Sequence, residues 1–417
     1  MDSQLKQRFI ISLQYLEDTP DLLERETAAV VDKLRAAADR LPISHLLIGW
    51  HLPARLLDAC RMEAEHLGMR FLRWHPLLTG DDIFQPRLSY QVIGASGHKV
   101  PGYCGKSEFT FVCPNHPEVR EAVSRRLENL LQQGLYHGFF LDRVRFPSPA
   151  INPLDDLGCF CEHCRLRSAA IGLDLEQVRK TIVGLDQTAQ GRLSLMQILL
   201  GGVAPALSKE TTGLLLAFLK FRTQSVNDIV IMLSKFLKHA GVEIGLDCFS
   251  PSLAGMVGQD LGALSACVDW IKVMSYAHTR GPAGIPFELL GFFDYLSTIN
   301  DLDPSRILGW IGDTIAIPLP ATRQALEQKG ISSISLEEEL RRSVQTSLAP
   351  VLAGFELVQI EGVTELNDTQ ILADLDAVRR AGVAGLSISW DLWDIPLERF
   401  DLIFRIFPSI STTPGRP

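Results

Sequence analysis

The spacing of short apolar runs constrains this chain most. Eight such runs occupy residues 9–14, 45–50, 70–74, 138–142, 242–249, 270–276, 351–357 and 385–390. Each is mostly apolar rather than strictly alternating. Strands buried on both faces have that pattern, as in a parallel sheet covered by helices. Helical patterns lie between the runs. Residues 21–39 (DLLERETAAVVDKLRAAAD) carry apolar positions at three- and four-residue steps, and 53–67 follow the second run. Residues 117–133 open on Pro117 and Glu118 and stop before Gly134. Residues 212–240 and 369–381 stop at Gly241 and Gly382. Eight strands alternating with helices is the count of an α/β fold of the (β/α)8 (TIM) barrel type. A doubly wound sheet is the runner-up, but no glycine-rich phosphate loop follows the first run.

A chain of 417 residues has room for two or three domains, yet one barrel absorbs the whole of residues 1–408. Residues 409–417 read as a frayed tail. Long insertions follow strands 3, 4 and 6, at about 79–113, 147–214 and 277–348. The first contains YQVIGASGHKVPGY, which looks like a hairpin. The third contains ILGWI (307–311), a possible ninth strand. In a barrel all three insertions leave the C-terminal face, where active sites are built. With 46% hydrophobic and 21% charged residues, the chain is neither disordered nor a small disulfide scaffold. A net charge of −9 argues against general nucleic-acid binding. The N-terminus lacks a signal-peptide pattern, and the longest apolar stretch (195–207) is too short to cross a bilayer. The reading is a soluble, cytoplasmic protein without a membrane partner. A homo-oligomer stays open.

Polar residues at strand ends are the informative ones, because they reach the catalytic layer. Strand 4 ends in Asp142, followed by Arg143 and Arg145. Strand 5 offers Asp247. Strand 6 carries Lys272 within and Tyr276 and His278 at its end. Strand 7 offers Glu356, and strand 8 Trp390 and Asp391. Strands 2 and 3 end in Trp50 and His51, and in Trp74 and His75. Paired carboxylates are what glycoside hydrolysis needs: one protonates the leaving oxygen, and the other attacks or activates water. Aromatic rings suit the C–H faces of sugars. Each Trp by itself also fits plain barrel-mouth packing, and an Asp142–Arg pair could simply close the mouth.

Cys159-Phe-Cys161-Glu-His-Cys164 is a C-x-C-x-x-C motif just after strand 4, and Cys113 precedes that strand. Four thiolates make a closed tetrahedral zinc site, which is structural because no position stays open. A disulfide or empty thiol cluster is the other reading. Cys104 is the alternative fourth ligand, and His163 or His116 a substitute. Cys60, Cys248 and Cys267 read as small core residues.

These segments resemble a known group. FVCPNHPEVREAVSRRLENLL, GFFLDRVRFPSP and CFCEHCR, with GLDCFSPSLAGMVGQDLGAL, VDWIKVMSYAHTRGPAG and GLSISWDLWDIP downstream, look like uncharacterised glycoside hydrolases with (β/α)8 barrels. The likeness covers about 109–396. The lone cysteine before strand 4 and the C-x-C-x-x-C after it are similar to the zinc cluster of family 42 β-galactosidases. This chain has Leu141-Asp142 where that family has Asn-Glu, so the resemblance implies a reaction class and not a substrate. The MSY of strand 6 resembles chitinase-like barrels, without their acidic DxxDxDxE run.

The resulting expectation is a glycosidase acting on an oligosaccharide or glycoside, with structural Zn2+ held by Cys113, Cys159, Cys161 and Cys164. Asp142 is one catalytic carboxylate. Glu356 is the first choice of partner, because strands 4 and 7 often carry the pair in such barrels, with Asp247 and Asp391 in reserve. Tyr276 would orient the nucleophile, and Arg143 or Arg145 would keep Asp142 ionised. Trp50, His51, Trp74, His75, Arg143, Arg145, His278 and Trp390 would contact substrate. The rivals are a non-catalytic carbohydrate-binding barrel, a zinc-pinned scaffold, and a metal-dependent enzyme using His51, His75 and Asp142.

Overall fold

The computed structural model describes residues 9–16, 26–50, 52–80, 85, 87–299, 302–408 and 410. Eight strands form a closed barrel in chain order. They are β1 (Ile10–Tyr15), β2 (His45–Ile48), β3 (Arg70–Pro76), β4 (Gly138–Asp142), β5 (Glu243–Phe249), β6 (Trp270–Met274), β7 (Val351–Glu356) and β8 (Gly385–Ser389). Every neighbouring pair is parallel, and β1 closes on β8 with Ile10 opposite Gly385. Helices between the strands complete the (β/α)8 architecture, as the run spacing implies. The expected strands match to within one or two residues. Trp50, Tyr276 and Trp390 fall just beyond β2, β6 and β8 rather than inside them.

The ILGWI segment belongs to the third insertion, as expected, and is helical. It lies inside the helix Pro304–Ile315, not in a strand. Asp303 caps that helix, Pro304 starts it, and Ile307, Leu308, Ile311 and Ile315 bury one helical face. A short apolar run does not separate strand from helix, and the buried positions here follow the helical period. The first insertion does double back, with antiparallel bridges Ile93–Lys99 and Gln91–Val112. The second carries helices Glu162–Ala169, Leu175–Asp186 and Ala189–Leu199 before the 31-residue helix Lys209–His239. Of the expected features, residues 21–25 of the first helix, His51, and the tail 409–417 apart from Ile410 lie outside the described residues. Among those described, no helix is long and apolar enough to cross a membrane.

Two apolar systems hold the barrel. One packs the outward strand faces against the helices. The other fills the interior with Leu47, Leu72, Phe140, Trp270 and Leu352, and continues upward to Trp50 and Trp74. Phe140 and Trp270 stack at 5.4 Å. Trp270 fits because β5 carries glycine beside it: a Cβ on Gly245 would lie 2.2 Å from the indole ring. At the floor the indole N–H donates to Glu243 at 2.6 Å, and Glu243 also pairs with His45 at 3.0 Å.

Gly245→Ala should therefore lower the unfolding free energy by about 1–3 kcal/mol through overpacking. Gly213→Ala, on the long helix with nothing within 4 Å of the new methyl, should instead raise it by up to about 1 kcal/mol. Urea titration of the two variants beside the parent checks both signs.

Candidate active site at the barrel mouth

Successive strand residues point to opposite faces, which decides which strand-end groups can meet. On β3, Trp74 joins the interior cluster. Its indole N–H donates to Asp142 Oδ2 at 3.0 Å. His75, the next residue, is completely buried and packs edge-on against Phe139, a residue of the outer apolar layer. Burial, with Arg126 and Arg73 nearby, holds its pKa well below the usual imidazole range. A site made of His75 and Asp142 thus has its two groups on opposite sides of the sheet.

Asp142 is half-buried at the end of β4. Its second oxygen accepts from the Arg143 backbone N–H. Arg143 takes a left-handed backbone (φ 54°), which turns the chain sharply out of the strand. Its guanidinium then reaches Thr79 at 3.1 Å and the Glu108 carbonyl, and lies over Trp50 and Phe109. Trp50 meets Trp74 edge-on at 6.0 Å, and Trp390 meets Tyr276 at 5.9 Å. Aromatic rings therefore flank Asp142 on one side and Tyr276 on the other.

Beneath Asp142 lies a buried polar layer. Asp247 and Lys272 are register neighbours on β5 and β6 and form an ion pair at 2.9 Å. Lys272 also donates to Gln14 of β1 at 3.1 Å, and Ser389 of β8 donates to the same Gln14 oxygen. Burial pushes Asp247 up to about 7, with the Asp142 charge adding to the rise and Lys272 opposing it. Burial works against the Lys272 charge, but Asp247 and Tyr276 outweigh it and raise its pKa. Burial lifts the Tyr276 hydroxyl to about 12, so it stays protonated. The second Asp247 oxygen, Oδ1, is buried and has no hydrogen-bond partner.

Glu356 stands apart from this layer. Its oxygens accept from the His278 backbone N–H at 2.7 Å and from the Thr279 hydroxyl. Burial raises it to about 7, with His278 the largest opposing influence. The His278 ring is anchored as well. Nδ1 lies 2.7 Å from the Lys329 carbonyl, and Nε2 lies 2.7 Å from Asp374 on helix Asp368–Ala381. A carbonyl only accepts, so Nδ1 carries a hydrogen, and the Asp374 carboxylate favours a second on Nε2. Although burial opposes the charge, Asp374 and Glu356 raise His278 to about 9. Asp391 is also tied locally, accepting from Trp393 N at 2.9 Å to cap the turn Leu392–Asp394. Lys272 was visible in the sequence as a charge inside an apolar strand. Gln14 and Thr279 gave no comparable signal.

The four cysteines converge behind the β4 loop. The Sγ atoms of Cys113, Cys159, Cys161 and Cys164 all lie within 4.8 Å of one another, and all four residues are buried. Cys104 is exposed in a separate turn. Asn115 donates to Cys113 Sγ through its backbone at 3.4 Å and to Cys164 Sγ through its amide at 3.2 Å. The Ile93 backbone N–H points to Cys159 at 3.5 Å. Arg222, fully buried on the long helix, donates to the Gly158 carbonyl at 2.6 Å, and Cys159 and Cys164 lie near enough to favour its charge against burial. N–H donors aimed at sulfur and a buried cation are what a thiolate cluster needs, so the set can hold a metal ion. Among the described residues it is the one group of three or more His, Cys, Asp or Glu side chains close enough to do so.

No family model matches the sequence, and no curated protein matches it. Solved structures do. A β-galactosidase from the psychrophilic Marinomonas ef1 aligns over 96% of this chain and 59% of its own, at 10% identity and a TM-score of 0.56. An α-L-fucosidase isoenzyme from Paenibacillus thiaminolyticus aligns over 97% and 49%, at 10% identity and 0.53. A family 42 β-galactosidase from G. stearothermophilus aligns over 98% and 58%, at 12% identity and 0.51. These structural neighbours are glycoside hydrolases, and this chain spans about half to three fifths of their length. At such identities the likeness establishes a shared barrel fold.

The charged His278 predicts a pH dependence. Its folded pKa is raised, so its stabilisation is complete below about 6.5 and is lost as pH rises through about 9. His278→Gln should cost on the order of 3 kcal/mol at about pH 6 and much less at about pH 10. Denaturant titrations of variant and parent at the two pH values measure the difference.

Proposed function

We propose that this barrel hydrolyses a glycosidic bond, with Asp142 and Asp247 as its two carboxyl groups. The observation that carries the reading is their placement on neighbouring strands: Phe140 of the interior cluster pairs with Gly245, and Asp142 and Asp247 lie two residues further up the same faces. Asp142 accepts two N–H donors, from Trp74 and Arg143, which fix the orientation of its carboxyl group. As a carboxylate it attacks the anomeric carbon, or takes the proton from the water that does. With a pKa of about 7, a share of Asp247 holds a proton near neutrality, and that form gives it to the leaving oxygen. Lys272, at 2.9 Å, then neutralises the charge left on Asp247. The half-buried Trp390 ring, edge-on to Tyr276, supplies the wall against a sugar face. Glu356 acts in this scheme by bracing the His278–Thr279 turn.

The cysteine cluster is read as a structural zinc site. Zinc–sulfur bonds of about 2.3 Å place four sulfurs about 3.8 Å apart. The closest pairs here, 3.4 Å for Cys113–Cys164 and 3.6 Å for Cys113–Cys161, suit that arrangement. Four thiolates leave no open position, so the metal would pin the loop after β4 and take no part in the reaction.

Two results test this. Against a panel of aryl glycosides and oligosaccharides, Asp142→Asn and Asp247→Asn should each lose about 10²–10⁴-fold in kcat, while Glu356→Gln keeps more activity than either. The parent's rate should fall as pH rises through about 7, where the proton donor is lost. Full activity in Asp142→Asn sinks the assignment, and saccharide binding without cleavage by the parent identifies a binding barrel instead. Elemental analysis should find about one zinc per chain in the parent and none in Cys161→Ser, whose melting temperature should also drop.

A further inference from the structure

Beside the mouth, the loops that follow β3, β4 and β6 enclose a cavity of about 90 Å3. Tyr103, Phe109 and Phe287 form apolar walls, and Arg145, Asp156 and Glu288 supply polar groups. The Tyr103 ring meets Phe109 at 6.2 Å and Phe287 at 5.6 Å, both edge-on. At about 10–15 Å3 per water, the space takes several waters, or one edge of a ring-sized polar molecule.

Arg145 calls for a ligand. It is 7% exposed, and Phe111 and Phe249 cover its guanidinium at 4.5 and 4.6 Å. Nη1 donates to the Phe146 carbonyl at 3.1 Å, but the buried Nε has no partner. No carboxylate among the described residues forms an ion pair with it. A guanidinium has five N–H donors, and leaving most of them unspent in a buried site is costly. Across the cavity, Glu288 is 1% exposed and accepts one bond from Ala283 N at 2.9 Å and one from the Ser148 hydroxyl, so lone pairs remain. Asp156 is half-buried. Burial raises both carboxyls, Asp156 to about 7.

These groups select the ligand's chemistry. A cation would require both carboxyls to ionise against apolar walls. An anion would pair with Arg145 but would need both carboxyls to stay protonated, whereas a neutral hydroxyl suits them in either state. A neutral polyol offers a donor and an acceptor at every hydroxyl, and its C–H faces match the aromatic walls. We propose that this cavity is a second saccharide subsite, taking one edge of a neutral sugar ring. Arg145 donates to a ring-substituent oxygen, and Asp156 and Glu288 accept from hydroxyls. The inference rests on the glycosidase reading and adds to it. Arg145 follows Asp142 by three residues on the segment that leaves β4, so the recess opens beside the reacting carboxyls. The protein would then favour oligosaccharides over glycosides with small leaving groups.

Calorimetric titration separates the outcomes. The probes are β-linked tri- to hexasaccharides of glucose, galactose and N-acetylglucosamine. They are titrated into the Asp142→Asn protein, and into the same protein carrying Asp156→Ala or Phe287→Ala. Both added changes remove cavity-wall groups that are not fully buried, and circular dichroism verifies folding. The expected result is binding of at least one saccharide by Asp142→Asn, weakened about tenfold or more by each added change. Unaltered affinity in both double variants overturns the subsite while the glycosidase reading stands. Absence of saccharide binding, with no cleavage by the parent, overturns both.

Discussion

The ammonium of Lys272, 1% exposed inside the barrel, is the charge on which the upper half of this structure depends. Removing such an ion from water costs several kcal/mol unless partners replace the solvent. Asp247 answers from β5 and Gln14 from β1, with Ser389 of β8 bonded to the same Gln14 oxygen. Strands far apart in sequence are thereby drawn into one polar layer. Beneath it the interior is apolar, filled by Leu47, Leu72, Phe140, Trp270 and Leu352. The barrel thus divides into a floor that stabilises and a rim that carries charge. Asp142 sits where the rim meets solvent.

The segment after β4 is held from several directions at once. Arg143 turns the backbone out of the strand. Cys159, Cys161 and Cys164 gather against Cys113, which lies just before the helix Pro117–Gln132 that precedes β4. Arg222 of the long helix holds the same loop through the Gly158 carbonyl and the turn after β5 through the Met256 carbonyl. The loop that carries Arg145 and Asp156 therefore has a defined course, which lets a recess form beside the mouth. A flexible insertion of that length could not hold a buried guanidinium in place.

Much of this was legible in the residues. Eight doubly buried strands announce themselves as apolar runs, and Gly382 marks a real helix end in its left-handed C-cap. The cysteine spacing predicts a cluster, and the four thiols do gather. Orientation was not legible. Trp74 and His75 look equivalent as strand-end residues, yet the pleat sends one to Asp142 and the other into the outer layer. By sequence Glu356 is the first choice to partner Asp142 and Asp247 a reserve, but Glu356 is tied to the β6 loop while Asp247 lies beside Lys272. ILGWI could be read as strand or helix, because five apolar residues show too little period to distinguish them, and the structure makes it helical.

The sequence alone determined the barrel, through the number and spacing of its apolar runs, and it placed the polar residues at the strand ends. Those are local properties: burial on two faces and a carboxylate at the end of a strand leave their mark in composition and period. The tertiary structure decided which side chains share an environment. Closure of β1 on β8 brings Gln14 and Ser389 to Lys272, and the folding of three insertions over one rim joins Tyr103, Arg145 and Glu288. Proximity between residues more than a hundred positions apart is a product of packing, and it is packing that sets the pKa values, the unpaired donors and the cavity on which any chemistry here relies.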